Sequence, residues 1–280
     1  MKKILWDIDG TLLNFDLAET AAIYKCFEIF DLEKPTEDML DTYKNINNIY
    51  WQRLERSEVT RDEVLLGRFR DFFETYGITT DIVKEFNHNY QVQLGKTYVF
   101  NPYGKEIVEK LSGKYDQYAV TNGSLTAQKG KLEGSNLNKI FKESFISELV
   151  GFEKPDKRFF NYVFEKIGSN DLDDYVIIGD SLTSDMLGGV NTKIKTIWFN
   201  PNKKENHLNL PIDMEIESLN EVEDGLIKIF GWLQKTCKNC IIFAGSFVSL
   251  WHKNIFNLSM ISKWRRRNGQ GVALSKAYEN

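Results

Sequence analysis

The chain has 280 residues, a formal net charge of −4, 42% hydrophobic residues and 27% charged residues. This is the composition of an ordinary soluble globular protein, long enough to bury a sizeable core without disulfides. Its three cysteines, Cys26, Cys237 and Cys240, are too few for a disulfide framework and fit a reducing, cytoplasmic location.

The charge is unevenly spread. From Thr236 onward seven Lys and Arg stand against the single acid Glu279, whereas residues 1–235 are strongly acidic. An acidic body excludes a nucleic-acid polymer as partner.

Read in chain order, the first element is the apolar run Ile4-Leu5-Trp6 before Asp7. Three residues are too short for the apolar region of a signal peptide, so the run reads as a buried strand. Residues 16–96 hold no convincing strand. Helical patterns are expected over 17–30, 36–56 and 61–76, which makes an all-helical lobe inserted after the first strand. The rest alternates. Helices are expected near 103–113, 124–134, 156–168 and 183–192, and strands at 118–120, 145–147, 175–178 and 196–199. These strand runs are apolar throughout, as in parallel strands covered on both faces.

The fold class is therefore α/β: a doubly wound parallel, Rossmann-like sheet with an inserted all-helical cap domain. Residues 1–15 and 97–230 form the expected α/β core, 16–96 the cap, and 231–280 a basic C-terminal extension. The hinges between cap and core are expected near 14–16 and 97–102.

In the extension, Cys237 and Cys240 form a CxxC without a second pair. His207 and His252 lie at no recognised zinc spacing. The apolar run 241–251 is about half a membrane helix, which needs about twenty residues. With Arg265, Arg266 and Arg267 following, an interfacial anchor is the alternative to a dispensable tail, and no membrane partner is expected. Truncation at residue 235 is expected to leave activity intact.

Open α/β sheets bind ligands beyond the carboxyl ends of their strands. Four polar groups stand there: Asp7-Ile8-Asp9-Gly10-Thr11-Leu12; Thr121-Asn122-Gly123-Ser124; Glu153-Lys154-Pro155; and Gly179-Asp180-Ser181 with Asp185 following. Each alone has an ordinary explanation as a turn, a helix cap or a surface lysine. Their coincidence at four strand ends does not. If the fold is right, Asp7, Asp9, Asp180 and Asp185 converge, and four carboxylates beside one lysine require a cation.

In content and order these groups resemble the haloacid dehalogenase-like hydrolase superfamily, helical C1-cap type. Three cap and core stretches resemble its non-standard pyrimidine 5′-nucleotidase (YjjG-type) branch: Asn48-Ile49-Tyr50-Trp51 with Glu58-Val59-Thr60; Gly67-Arg68-Phe69; and Val120 to Gly123 followed by Leu125-Thr126-Ala127-Gln128. The run from Ser181 to Gly189 agrees as well. One departure is that members of this branch can carry Glu where this chain has Gly10.

The resemblance implies a phosphomonoesterase dependent on Mg²⁺, with Mn²⁺ an expected substitute. It implies that Asp7, the backbone carbonyl of Asp9, and Asp180 bind the ion while Asp185 orients that set. Asp7 then acts as nucleophile through an aspartyl-phosphate, and Asp9 as general acid and base, a role that needs a proton at neutral pH. Thr121, Asn122, Gly123 and Lys154 bind the phosphoryl group.

The expected substrate is a small phosphomonoester, a pyrimidine nucleoside 5′-monophosphate in particular. A base needs a flat apolar slot, for which Phe15, Tyr50, Trp51 and Phe69 are candidates. Arg68 either contacts the ligand or pairs with an acid such as Asp71. A sugar-phosphate or phosphoglycolate phosphatase, a metal-independent dehalogenase, a phosphomutase and a non-catalytic binding protein are the alternatives. The oligomeric state is left open.

Overall fold

The computed structural model describes residues 1–169 and 171–231. The expectations for Cys237, Cys240, the 241–251 run and the basic tail fall outside the described residues. Six parallel strands form one sheet in the order β3-β2-β1-β4-β5-β6. They are β1 (Lys3–Trp6), β2 (Asp116–Thr121), β3 (Glu143–Ile146), β4 (Tyr175–Gly179), β5 (Lys195–Phe199) and β6 (Met214–Ile216). The first five match the expected runs. β6 was not anticipated, because only three residues pair and one of them, Glu215, is exposed.

β1 and β4 are buried at every position because both faces of the sheet are covered. Ile4, Trp6, Val176, Ile178, Ile197 and Phe199 pack on one face. Leu5, Tyr118, Val120, Tyr175, Ile177 and Trp198 pack on the other. A continuous apolar run is what this two-sided burial demands. β1 sits in the centre, paired to β2 and β4, and the chain order reverses there. The register opposes Trp6 to both Ala119 and Ile178, which brings Asp7, Thr121 and Asp180 to one rim.

The lobe inserted after β1 holds four α-helices: α1 (Phe15–Ile29), α2 (Glu37–Glu55), α3 (Arg68–Tyr76) and α4 (Val83–Lys96). Asn14 and Thr36 cap α1 and α2 by accepting from the backbone N–H of Leu17 and Met39. Gly77, at φ 67°, ends α3 in the left-handed conformation. A π-helical turn, Glu63–Gly67, leads into α3.

The four helices bury their own aromatic core, including Phe27, Tyr43, Phe69, Phe72, Phe73, Phe86 and Tyr90. The two strands of chain entering and leaving this lobe lie side by side. Asn14 N–H donates to Val99 O at 2.7 Å and Asn101 N–H to Leu12 O at 2.9 Å. The Asn101 side chain clamps the junction by donating to the carbonyls of Gly10 and Thr11.

The remaining helices are α5 (Gly104–Leu111), α6 (Leu125–Gly134), α7 (Ser147–Val150), α8 (Lys157–Ile167), α9 (Leu187–Thr192) and α10 (Val222–Phe230). The expected helix at 183–192 is a π-helical turn, Leu182–Met186, running into α9. Among the described residues no helix is long and apolar enough to cross a membrane.

Candidate active site

Asp7 leaves β1 with its N–H donating to Ile178 O, so the sheet ladder itself holds the carboxylate at the rim. The side chain is almost fully buried. Thr11 Oγ1 donates to Asp7 Oδ2 at 2.9 Å and lies 3.3 Å from Asp180 Oδ1. Between them Gly10 turns the chain at φ +92°. A Cβ there would sit 2.7 Å from the Asp180 carboxylate oxygens. In this chain a side chain at position 10 would need that carboxylate to move, and the positive φ favours glycine there.

Lys154 is buried, and its Nζ donates to Asp7 Oδ1 at 2.8 Å, Asp185 Oδ1 at 2.6 Å and Val120 O at 2.9 Å. Its loop is fastened to the end of β2. Asn122 Nδ2 donates to Lys154 O, and Lys154 N–H donates back to Asn122 Oδ1. Asp185 is pinned from the other side by Ser181 N–H. Thr121 is buried, and its hydroxyl accepts from Gly123 N–H.

Asp7, Asp180 and Asp185 each offer a carboxylate oxygen, all within 4.8 Å of one another. Lys154 alone does not balance three clustered carboxylates, two of them buried. Burial first, and then Asp185, hold Asp7 well above the usual carboxylate range despite Lys154. The same two causes hold Asp180 at about 7. Burial alone would lower Lys154, but Asp185 and Asp7 outweigh it and leave its ammonium above the ordinary lysine value. Uncompensated negative charge on oxygen-only donors fits a hard divalent cation. Asp7, Asp180 and Asp185 lie close enough together to hold or surround one.

The Asp9 side chain lies outside this trio. Its Oδ1 is 2.6 Å from Lys131 Nζ, and its Oδ2 accepts from Gln128 Nε2 at 2.6 Å. Gly123 is bare for a reason that sequence reading did not give: a Cβ there would lie 2.1 Å from Gln128 Nε2.

A cavity of about 700 Å³ opens over Asp7, Asp9, Lys154, Asp180 and Asp185. Its far wall is one face of α2, formed by Asn48, Trp51, Gln52 and Glu55 at helical spacing. Of the expected cap residues, only Trp51 lines this cavity. Phe15 lines a neighbouring cavity of about 450 Å³ with Asn14, Asp180 and Lys204.

Phe69 is not at the cavity. It is fully buried and stacks on Tyr43, with ring centroids 5.1 Å apart. Phe69, Phe72 and Phe73 share one face of α3, and that face must bury against the other lobe helices. Arg68 is buried beside it and donates to Asn47 Oδ1 at 2.6 Å, rather than pairing with Asp71. Asp71 takes the hydroxyl of the buried Tyr50.

Several residues of the site were not anticipated. Arg61, from the lobe, donates to Asn122 O at 3.2 Å and to Ser147 Oγ, and pairs with Glu153 at 3.0 Å. Gln128 and Lys131 stand at i, i+3 on α6, immediately after the Thr121 loop. Glu55 is held at about 7 by burial, against the Thr183 hydroxyl. The signal for α2 was present in the i, i+3, i+4, i+7 spacing of Asn48, Trp51, Gln52 and Glu55.

The central strand, the carboxylate trio and the buried lysine define a hydrolase of the kind the motifs resemble. Residues 4–199 match the model of the haloacid dehalogenase-like hydrolases, and the chain belongs to that family. It is 37% identical over 223 residues to the HAD-hydrolase YfnB of Bacillus subtilis, covering 79% of this chain and 93% of that one. A crystal structure of YfnB bound to magnesium superposes with a TM-score of 0.76, covering 80% of this chain and 98% of that one. The pyrimidine 5′-nucleotidase PynA of Streptococcus pneumoniae is 33% identical, covering 81% and 95%. The pyrimidine 5′-nucleotidase YjjG of Escherichia coli is 28% identical, covering 80% and 97%.

Proposed function

We propose that this enzyme is a Mg²⁺-dependent phosphatase that removes the 5′-phosphate from pyrimidine nucleoside monophosphates through an aspartyl-phosphate on Asp7. The observation that carries the reading is the placement of the Asp7 carboxylate, buried between Lys154 and Thr11 and opening onto a cavity walled by Trp51 and polar residues of α2. The similarity to two pyrimidine 5′-nucleotidases supports the choice of leaving group.

A phosphate monoester dianion repels an attacking carboxylate, so the site must supply positive charge and alignment. Asp7, Asp180 and the Asp9 backbone carbonyl would hold a divalent cation, oriented by Asp185, and the bound ion would neutralise charge on the phosphoryl oxygens. Lys154 adds a fixed positive charge, while the Thr121 hydroxyl and the N–H groups of the Asn122–Gly123 loop donate to phosphoryl oxygens.

An oxygen of Asp7 attacks phosphorus as the bond to the leaving oxygen breaks. Asp9 gives its proton to that oxygen, releasing the nucleoside. Asp9 then takes a proton from water, whose oxygen attacks phosphorus and frees Asp7 and inorganic phosphate. The Arg61 contacts to Asn122, Ser147 and Glu153 tie the lobe over the site, which limits competing water.

The test is a phosphate-release screen with Mg²⁺ across nucleoside monophosphates, sugar phosphates and phosphoglycolate. Pyrimidine nucleotides should give the highest kcat/KM. A profile led by sugar phosphates would overturn the substrate while leaving the mechanism. Asp7→Asn should lower turnover by at least about 10⁴-fold in a folded protein, and retention of activity would remove the nucleophile.

A further inference from the structure

Two side chains of α6 hold Asp9, and neither is among the residues to which the motifs assign a catalytic, phosphate-binding or metal role. Lys131 and Gln128 are fully buried. Three residues apart on a helix, they share a face. Lys131 Nζ reaches Asp9 Oδ1 and Gln128 Nε2 reaches Asp9 Oδ2, each at 2.6 Å. Both carboxylate oxygens are thereby engaged, so the plane of the group is set as well as its position.

Burying an ammonium is costly unless a partner compensates it. For Lys131 that ion-pair partner is Asp9, a residue of the reaction, across 122 positions of sequence. The arrangement also imposes a demand elsewhere, because the Gln128 amide passes through the space a Cβ on Gly123 would fill. From the lobe side, the Phe15 ring lies 5.1 Å from Lys131 Nζ, and Glu19 interacts with it electrostatically. Lys131 therefore touches the proton-transfer residue on one side and the first helix of the lobe on the other.

We infer that Lys131, assisted by Gln128, is a positioning residue that fixes the orientation of the Asp9 carboxyl in the wall of the cavity over Asp7. This rests on the reading of Asp9 as general acid. Without the pair, Asp9 keeps its place in the chain but loses its orientation, and proton delivery becomes the slow event. A surface-type ion pair of purely structural use would instead affect all substrates alike.

The discriminating measurement is leaving-group dependence. A nucleoside 5′-oxygen departs poorly without a proton, whereas p-nitrophenolate departs without one. In Lys131→Met, kcat/KM, which reports formation of the aspartyl-phosphate and not its shared hydrolysis, should fall at least tenfold more for uridine monophosphate than for p-nitrophenyl phosphate. Gln128→Leu should show the same selectivity to a smaller degree, and it serves where Lys131→Met folds poorly. In metal-free protein, thermal unfolding of Lys131→Met, Asp9→Asn and the double variant should be non-additive, showing the pair in solution.

Equal losses in kcat/KM on both substrates in Lys131→Met and Gln128→Leu, while Asp9→Asn remains selective, would overturn this proposal alone. Additive unfolding would overturn it too. If Asp9→Asn itself depressed kcat/KM for both substrates equally, the general-acid reading would fail and take the proposal with it.

Discussion

Lys154 and Asp185 are buried together with Nζ and Oδ1 2.6 Å apart, and the same ammonium reaches Asp7 Oδ1 at 2.8 Å. One cation thus joins Asp7, the residue proposed to receive the phosphoryl group, to one that follows a different strand. Removing it leaves two carboxylates facing each other in the interior. Breaking a buried pair by deleting one partner costs about 3–5 kcal/mol. Lys154→Ala should lower unfolding free energy by that order in urea titrations, and should abolish phosphate release. Retained stability would mean that the carboxylates had already relaxed apart.

The carboxylate trio makes stability depend on pH and on metal together. Burial and Asp185 raise the folded-state pKa of Asp180 from 3.8 to about 7. A raised carboxyl pKa means that the folded protein binds the proton more tightly than the unfolded chain does. Its contribution is therefore present at low pH and lost as pH rises through the window from about 4 to about 7. Metal-free protein should lose stability across that window, and Mg²⁺ should restore it by replacing the proton as the neutralising charge.

Binding at 100 times Kd adds about 2.7 kcal/mol to the stability of the folded state. The rise in Tm on adding Mg²⁺ should be larger at pH 8 than at pH 5, and Asp180→Asn should flatten the difference. Chelation should abolish turnover. Equal Mg²⁺ effects at both pH values would argue against this trio as the binding set.

Glu19 tests the same physics away from the reaction. It is buried on α1, accepts from Asn47 Nδ2 at 2.8 Å, and is held at about 7 by burial even with Arg68 and Lys44 opposing. Its folded-state pKa is raised above 4.5, so stability is lost as pH rises from about 4.5 to about 7. Glu19→Gln keeps the shape and removes the charge. At pH 8 it should stabilise the protein by up to roughly 3 kcal/mol, and at pH 4 by almost nothing. Thermal melts at the two pH values check this, and destabilisation at pH 8 would show that the Arg68 interaction outweighs burial.

The parts of this molecule that were legible in sequence are those where one local pattern has one physical solution. Ile4-Leu5-Trp6 ahead of Asp7 can only be a strand covered on both faces, and the polar groups after four such strands had to meet at one rim. The lobe shows where this reasoning stops. Phe69 and Trp51 are both aromatic on amphipathic helices, yet one fills the lobe interior and the other lines the cavity. Which face turns outward depends on packing between helices. At Gly67 a Cβ would meet Tyr50 at 2.7 Å, and at Gly130 it would meet the Gly95 backbone at 2.7 Å. Lys131 was invisible for another reason: a lysine inside an amphipathic helix reads as a solvated surface residue until its partner across the fold is known.

Arg61 carries the last prediction. It sits between α2 and the π-helical turn of the lobe, and its guanidinium meets three separate points of the α/β core: Asn122 O, Ser147 Oγ and Glu153. Its carbon also lies 5.8 Å from the Trp51 ring, on the cavity wall. None of these contacts reaches the carboxylate trio, so the residue should govern how firmly the lobe closes rather than the chemistry beneath it. A loss of about 1.4 kcal/mol in the closed form corresponds to a tenfold weaker hold on substrate. Arg61→Ala should accordingly raise KM for nucleotide by about tenfold and change kcat less. Arg61→Lys, which keeps the charge but not the forked geometry, should recover only part of the difference. If Arg61→Ala lowered kcat and left KM untouched, the residue would belong to the reacting site, acting through its bond to the Asn122 carbonyl on the phosphate-binding loop.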